Sequence, residues 1–138
     1  MPGCAVSATR RTIKGVVNNF LTSAEKLQVA VEAADKKHAE EIVALNMEEV
    51  SLLADYFVIM HGNSERQVQA IVEGIIEAEE AAGVTVQSVE GKKDSRWMLI
   101  DLGDVVVHVF TKEERAFYNL EKLWSDAPLV DVHQWITA

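Results

Sequence analysis

Cysteine is all but missing: Cys4 is the one thiol in 138 residues. A lone thiol excludes an intramolecular disulfide and suits a reducing compartment, so a cytoplasmic chain is expected. Long apolar runs are missing too. The longest candidates, "LLADYFVIM" and "VVVHVF", are broken by Asp55 or short of the ~18 residues a membrane span needs. "GVVNNFL" is interrupted by Asn18 and Asn19, so it lacks the unbroken core of a signal peptide. Acids are absent from residues 1–22, which carry Arg10, Arg11 and Lys14. Against a net charge of −9, that leaves −12 on the rest of the chain. Phosphate backbones repel such a body, so no direct nucleic-acid contact is expected of it, whereas a basic protein would be drawn in.

The residue sets of common chemistries are missing as well. There is no Asp-x-Asp pair, no phosphate-loop or dinucleotide glycine spacing, and no Cys/His pair. His38, His61, His108 and His133 stand singly, without the spacing of metal ligands. No nucleophile–base–orienter set is visible. A binding module therefore outranks an enzyme, and no cofactor or metal is expected. The competing enzyme reading would use Asp101, Asp104 and Ser64 around a divalent metal.

What is present is the material of one globular domain, with 49% hydrophobic and 25% charged residues. Residues 1–22 show no periodicity and read as a basic tail. Thr22-x-x-Glu25 is a capping-box pattern, followed by Leu27, Ala30, Val31 and Ala34 at helical spacing. "EEIVALNM" (40–47) and "DYFVIM" (55–60) read as strands. Gly62 ends the second, and Ser64-x-x-Gln67 opens a helix whose stripe is Val68, Ile71, Val72, Ile75 and Ile76, with Gly83 as its stop. The turn "HGNSERQ" has the look of a phosphate cradle, yet Ser64 as helix cap explains it without a ligand. "VTVQSVE" (84–90) alternates as a third strand.

"RWMLIDLGDVVVHVF" (96–110) supplies strands four and five. A two-residue turn at Leu102-Gly103 would set Asp101 opposite Asp104, Leu99 opposite Val106 and Trp97 opposite His108. Alternation then puts Met98, Ile100, Val105 and Val107 on one face, and Trp97, Leu99, Val106, His108 and Phe110 on the other. Both faces are apolar, so the second must be covered by a helix or a partner. Thr111-x-x-Glu114 caps a last helix through Trp124, with Ala116, Phe117, Leu120, Leu123 and Trp124 as its core stripe. Arg115, Tyr118 and Lys122 form a second line. The order α-β-β-α-β-β-β-α predicts an α/β or α+β domain with a mixed five-stranded sheet flanked by helices.

"ADYFVIMHGNSERQVQAI" (54–71) and "WMLIDLGDVVVHVFTKEERAFYNLEKLWSDAP" (97–128) together resemble the ribosomal silencing factor, or Iojap-related, family. The resemblance spans residues 23–128, leaving the tail 1–22 and an extension 129–138 outside it. It implies a nucleotidyltransferase-like topology without transferase chemistry, and frequent homodimers. It implies binding to the large ribosomal subunit through its fourteenth ribosomal protein, which blocks the small subunit and represses translation. A role in large-subunit assembly needs the same surface. Carried onto this chain, the interface residues are Trp97, Leu99, Asp101, Asp104, Arg115 and Tyr118. Met60-His61 stands where the family has small residues. Trp135 has two open destinations, the domain itself or a second subunit.

Overall fold

The capping box at Thr22 forms as its residues require: Thr22 Oγ1 accepts from the Glu25 N–H, and Glu25 Oε1 accepts from the Thr22 N–H. It starts helix α1 (Ser23–Lys36), the first element of the computed structural model, which describes residues 21–52, 54–91 and 96–136. The expected basic tail lies outside the described residues up to position 20. After α1 come β1 (Glu40–Asn46), β2 (Tyr56–Gly62), α2 (Glu65–Ala81), β3 (Ser88–Gly91), β4 (Trp97–Asp101) and β5 (Val105–Thr111). Two short helices, α3 (Lys112–Tyr118) and α4 (Leu120–Leu123), lead into β6 (Leu129–Val130) and a 3-10 turn at His133–Trp135.

The sheet is mixed, with strand order β3-β4-β5-β2-β1-β6 and the β2–β5 pair parallel. It has six strands where five were expected. The sixth is a two-residue pairing of Leu129 and Val130 with Leu45 and Ala44, too short to leave a periodic signal. The segment 129–136 folds onto the domain, for Val132 is buried and Trp135 packs on the main core. That answers where Trp135 goes.

Helices α1 and α2 cover one face of the sheet. Ser64 caps α2 by accepting from the Gln67 N–H at 3.1 Å, and Gly83 ends it at φ +91°. Val68, Ile71, Val72 and Ile75 are buried against Met60, Ile100, Val107 and Val109, each such side chain contributing about 1.5–3 kcal/mol. The expected third strand starts four residues late. Val84 is drawn into the core beneath α2, and regular pairing begins only at Ser88 opposite Asp101.

The β4–β5 hairpin differs from its expected register by two positions: Leu99 pairs with His108, and Trp97 with Phe110. A two-residue turn would leave Leu102 in water. The longer turn lets Leu102 bury completely, with Gly103 at φ +98° making the bend. Because the shift is even, each side chain keeps the face that alternation assigned to it.

The last helix is corrected more deeply. It breaks at Asn119, which adopts the left-handed conformation at φ 49°, ψ 56°. The break resets the helical phase, so the expected core stripe is split. Leu120 and Trp124 pack on Leu45, Met47, Ile59 and Phe110, while Phe117 and Leu123 stand 77% and 67% exposed and Ala116 is exposed beside them. Arg115 is buried instead. Asn tolerates this backbone better than other side chains with a Cβ. Asn119→Ala is expected to lower folding stability by about 1 kcal/mol, with Asn119→Gly near neutral, as read by urea denaturation.

Candidate functional site: an aromatic edge on the hairpin

Sheet alternation gathers Trp97, His108 and Phe110 on the face turned away from α1 and α2, and α3 lays Tyr118 across them. The Trp97 ring centre lies 4.5 Å from that of Tyr118 and 5.1 Å from that of Phe110. Its indole Nε1–H points at His108 Nδ1, 3.3 Å away, which makes Nδ1 the acceptor and leaves the proton on Nε2. Phe57 meets the His108 ring edge-on at 5.1 Å, and Trp124 meets Phe57 at 5.8 Å. Trp97 and Leu99 remain half-buried and, with Glu90 and Gly91, line an open recess of about 230 Å³. A Cβ on Gly91 would collide with Met98 Sδ, so glycine permits the close approach of β3 to β4 there.

The two aspartates sit at the turn of the hairpin, in different roles, and Asp104 turns toward α1. Asp101 Oδ1 accepts from the Gly103 N–H at 2.8 Å and shapes the bend. Asp104 Oδ1 pairs with Lys26 Nζ at 2.9 Å, and its side chain keeps 38% of its surface exposed. Lys26 also donates to the Leu102 carbonyl at 3.3 Å. Glu79 lies within electrostatic reach of this pair, fully buried, with no hydrogen-bond partner on either carboxylate oxygen among the described residues. Among those residues no group of three His, Cys, Asp or Glu side chains is arranged to hold a metal ion.

Arg115 occupies a different place from the other expected contacts. Its guanidinium donates through NH1 to the Glu41 carbonyl at 2.7 Å, the Glu40 carbonyl at 3.3 Å and His61 Nδ1 at 3.0 Å. Through Nε and NH2 it grips both oxygens of Glu121 at 3.2 and 2.9 Å. This clamp ties α3 and α4, across the Asn119 break, to the irregular start of β1. His61, unexpected at its position, is thereby a buried acceptor. The Glu40 carboxylate lies 3.4 Å from its Nε2 but out of line for a hydrogen bond. Lys26 and Glu79 escaped the sequence reading although periodicity marked them: Glu79 is four residues beyond Ile75, and Lys26 four before Ala30.

Two buried groups contribute opposing pH dependences to the fold. Burial pushes His108 down to about 4, so it stays neutral while the unfolded chain gains a proton below pH 6.5. Acidification through that window therefore costs stability. Burial first, and Asp104 as well, pushes Glu79 up to about 8 against the opposing pull of Lys26. It holds a proton that the unfolded chain loses above pH 4.5, so raising the pH toward 8 costs stability. Each slope is about 1.4 kcal/mol per pH unit, and they oppose between roughly pH 4.5 and 6.5. Removing one exposes the other. Glu79→Gln is expected to lose about 1.5 kcal/mol between pH 6.5 and 5 relative to the wild type's change, as measured by urea denaturation at both values.

The site is thus an open mixed sheet whose hairpin carries an aromatic edge, half-buried apolar side chains and two aspartates at its turn. The chain belongs to the ribosomal silencing factor family: residues 21–138 match the model described as "Ribosomal silencing factor during starvation". "Ribosomal silencing factor RsfS" of Bacillus subtilis is 58% identical over 106 residues, covering 77% of this chain and 90% of the relative. A crystal structure of a Bacillus halodurans protein, 56% identical, superposes with a TM-score of 0.70 over 78% of this chain and 98% of that one. "Mitochondrial assembly of ribosomal large subunit protein 1" of Mus musculus is 28% identical over 102 residues, covering 72% of this chain and 45% of that protein. The family is named for regulation of ribosomes, not for a catalysed reaction. No helix among the described residues is long and apolar enough to cross a membrane.

Proposed function

We propose that this protein binds the large ribosomal subunit through its fourteenth ribosomal protein and prevents the small subunit from joining, so that translation falls. The observation that carries this reading is the half-exposed Trp97–Leu99–Tyr118 face, with Asp101 and Asp104 at the turn of the same hairpin, on a chain of net charge −9. An apolar anchor with an acid rim suits a basic partner, since the aromatic rings supply desolvated contact area and the carboxylates supply orientation. In this reading Arg115 is a positioning residue, which holds α3 so that Tyr118 covers Trp97. The same face suits self-association, so a homodimer would compete with the ribosome for it.

The test is subunit joining with purified components. Large subunits loaded with the protein, then mixed with small subunits, are expected to carry it on a gradient and to yield fewer joined ribosomes. Co-sedimentation without any loss of joining favours a second reading, large-subunit assembly, which the name of the mouse relative supports. Failure to co-sediment removes both.

A further inference from the structure

Asp104 does not face the solvent as a free carboxylate. One oxygen is held by Lys26, itself only 5% exposed, and within electrostatic reach of the pair is Glu79, the one acid among the described residues with no exposed surface. Three elements meet here: α1 brings Lys26, the β4–β5 turn brings Asp104, and α2 brings Glu79. Lys26 and Asp104 are the charged groups that face Glu79 from the elements packed around it. As the structure stands, Lys26 is engaged by Asp104, and its pull on Glu79 falls short of the cost of burying an anion whose two oxygens have no donor among the described residues. A buried carboxyl in that setting keeps its proton.

The remaining surface of Asp104 can take a second cation. A Lys or Arg arriving there would leave two positive charges sharing one carboxylate, one of them nearly out of reach of water. It would also cancel the charge of Asp104, which is one of the influences opposing ionisation of Glu79. Both changes act in one direction. We propose that Glu79 is a proton-linked relay behind the interface: when a cationic side chain of the ribosomal partner docks on Asp104, Glu79 releases its proton to solvent, and its carboxylate balances the added charge through Lys26. The balance is one proton out for one cation docked. The relay rests on the reading of Asp104 as part of the binding face.

The consequence is a binding reaction that tightens as pH rises. Calorimetric titration of wild-type protein into purified large subunits at pH 7, in buffers of different ionisation enthalpy, is expected to show release of close to one proton. Affinity is expected to rise roughly tenfold per pH unit between pH 6.5 and 7.5. Glu79→Gln, which keeps the shape of the side chain, is expected to bind without the release and with a flat profile over that range. Asp104→Asn, which removes the docking carboxylate, is expected to weaken binding and to abolish the release in the binding that remains. Wild-type binding without proton release overturns the relay and leaves the interface standing, as does a Glu79→Gln chain that releases as much as the wild type. No wild-type binding at any pH overturns the interface itself.

Discussion

Arg115→Met is expected to lower the folding free energy by about 3 kcal/mol, the largest effect of any single change at the α3–α4 clamp. Methionine replaces the stem of the side chain but none of its donors. The Glu40 and Glu41 carbonyls, His61 Nδ1 and both oxygens of Glu121 lose their partner together. Breaking a buried, hydrogen-bonded charge pair costs about 3–5 kcal/mol. Glu121 keeps access to water, which places the loss at the lower end of that range. Urea denaturation followed by tryptophan fluorescence reads both the midpoint and the surroundings of Trp97. A wild-type midpoint would mean that α3 is held by its apolar contacts and that the clamp is idle. Arg115→Lys is expected to recover little, since an ammonium cannot grip Glu121 with two parallel bonds while reaching two carbonyls.

Trp97→Ala is expected to weaken binding to the large subunit by about 2 kcal/mol or more, roughly a thirtyfold loss. The indole is fixed from three sides, by Tyr118, Phe110 and His108, so it is presented in one orientation and loses little freedom on docking. Truncation removes the anchor and also takes the donor away from His108, so part of the effect falls on stability. Trp97→Phe separates the two. It retains a ring against Tyr118 while deleting the N–H, and it is expected to keep most of the affinity at a modest cost in stability. Wild-type affinity for a folded Trp97→Ala chain, measured by co-sedimentation across a concentration series, would remove Trp97 from the interface.

Much of the fold was legible because its signals act over three or four residues. Thr22 with Glu25, Ser64 with Gln67, and Thr111 with Glu114 each bond the backbone where their spacing says they should. The stripe from Val68 to Ile75 had one possible fate, since four apolar side chains on one side of a helix must meet a core. The two faces of the hairpin were legible for a similar reason: alternation survives an even shift of register, so the aromatic face was assigned correctly although its partners were not.

The errors share one cause. Leu102 looks like a turn residue because nothing local reports that it is swallowed by the core beneath the sheet. The stripe from Ala116 to Trp124 assumed an unbroken helix, and Asn119 undoes it by entering the left-handed region. Leu129 and Val130 became a strand only because Leu45 and Ala44 offered an edge.

Sequence alone determined the two long helices with their caps, strands β1, β2, β4 and β5, the apolar faces of α2 and the hairpin, the charge and the family pattern, all written in neighbouring residues or in composition. Tertiary structure alone decided that Arg115 is a buried clamp, that Phe117 and Leu123 face outward, and that Lys26 pairs with Asp104 within electrostatic reach of Glu79. Those contacts join residues 74 and 78 positions apart in the chain, as Arg115 to Glu41 and Lys26 to Asp104 show. A charged side chain carries no local mark of its distant partner; only the packing of α1, α2 and the hairpin brings the two within 3 Å, where burial makes the pairing obligatory.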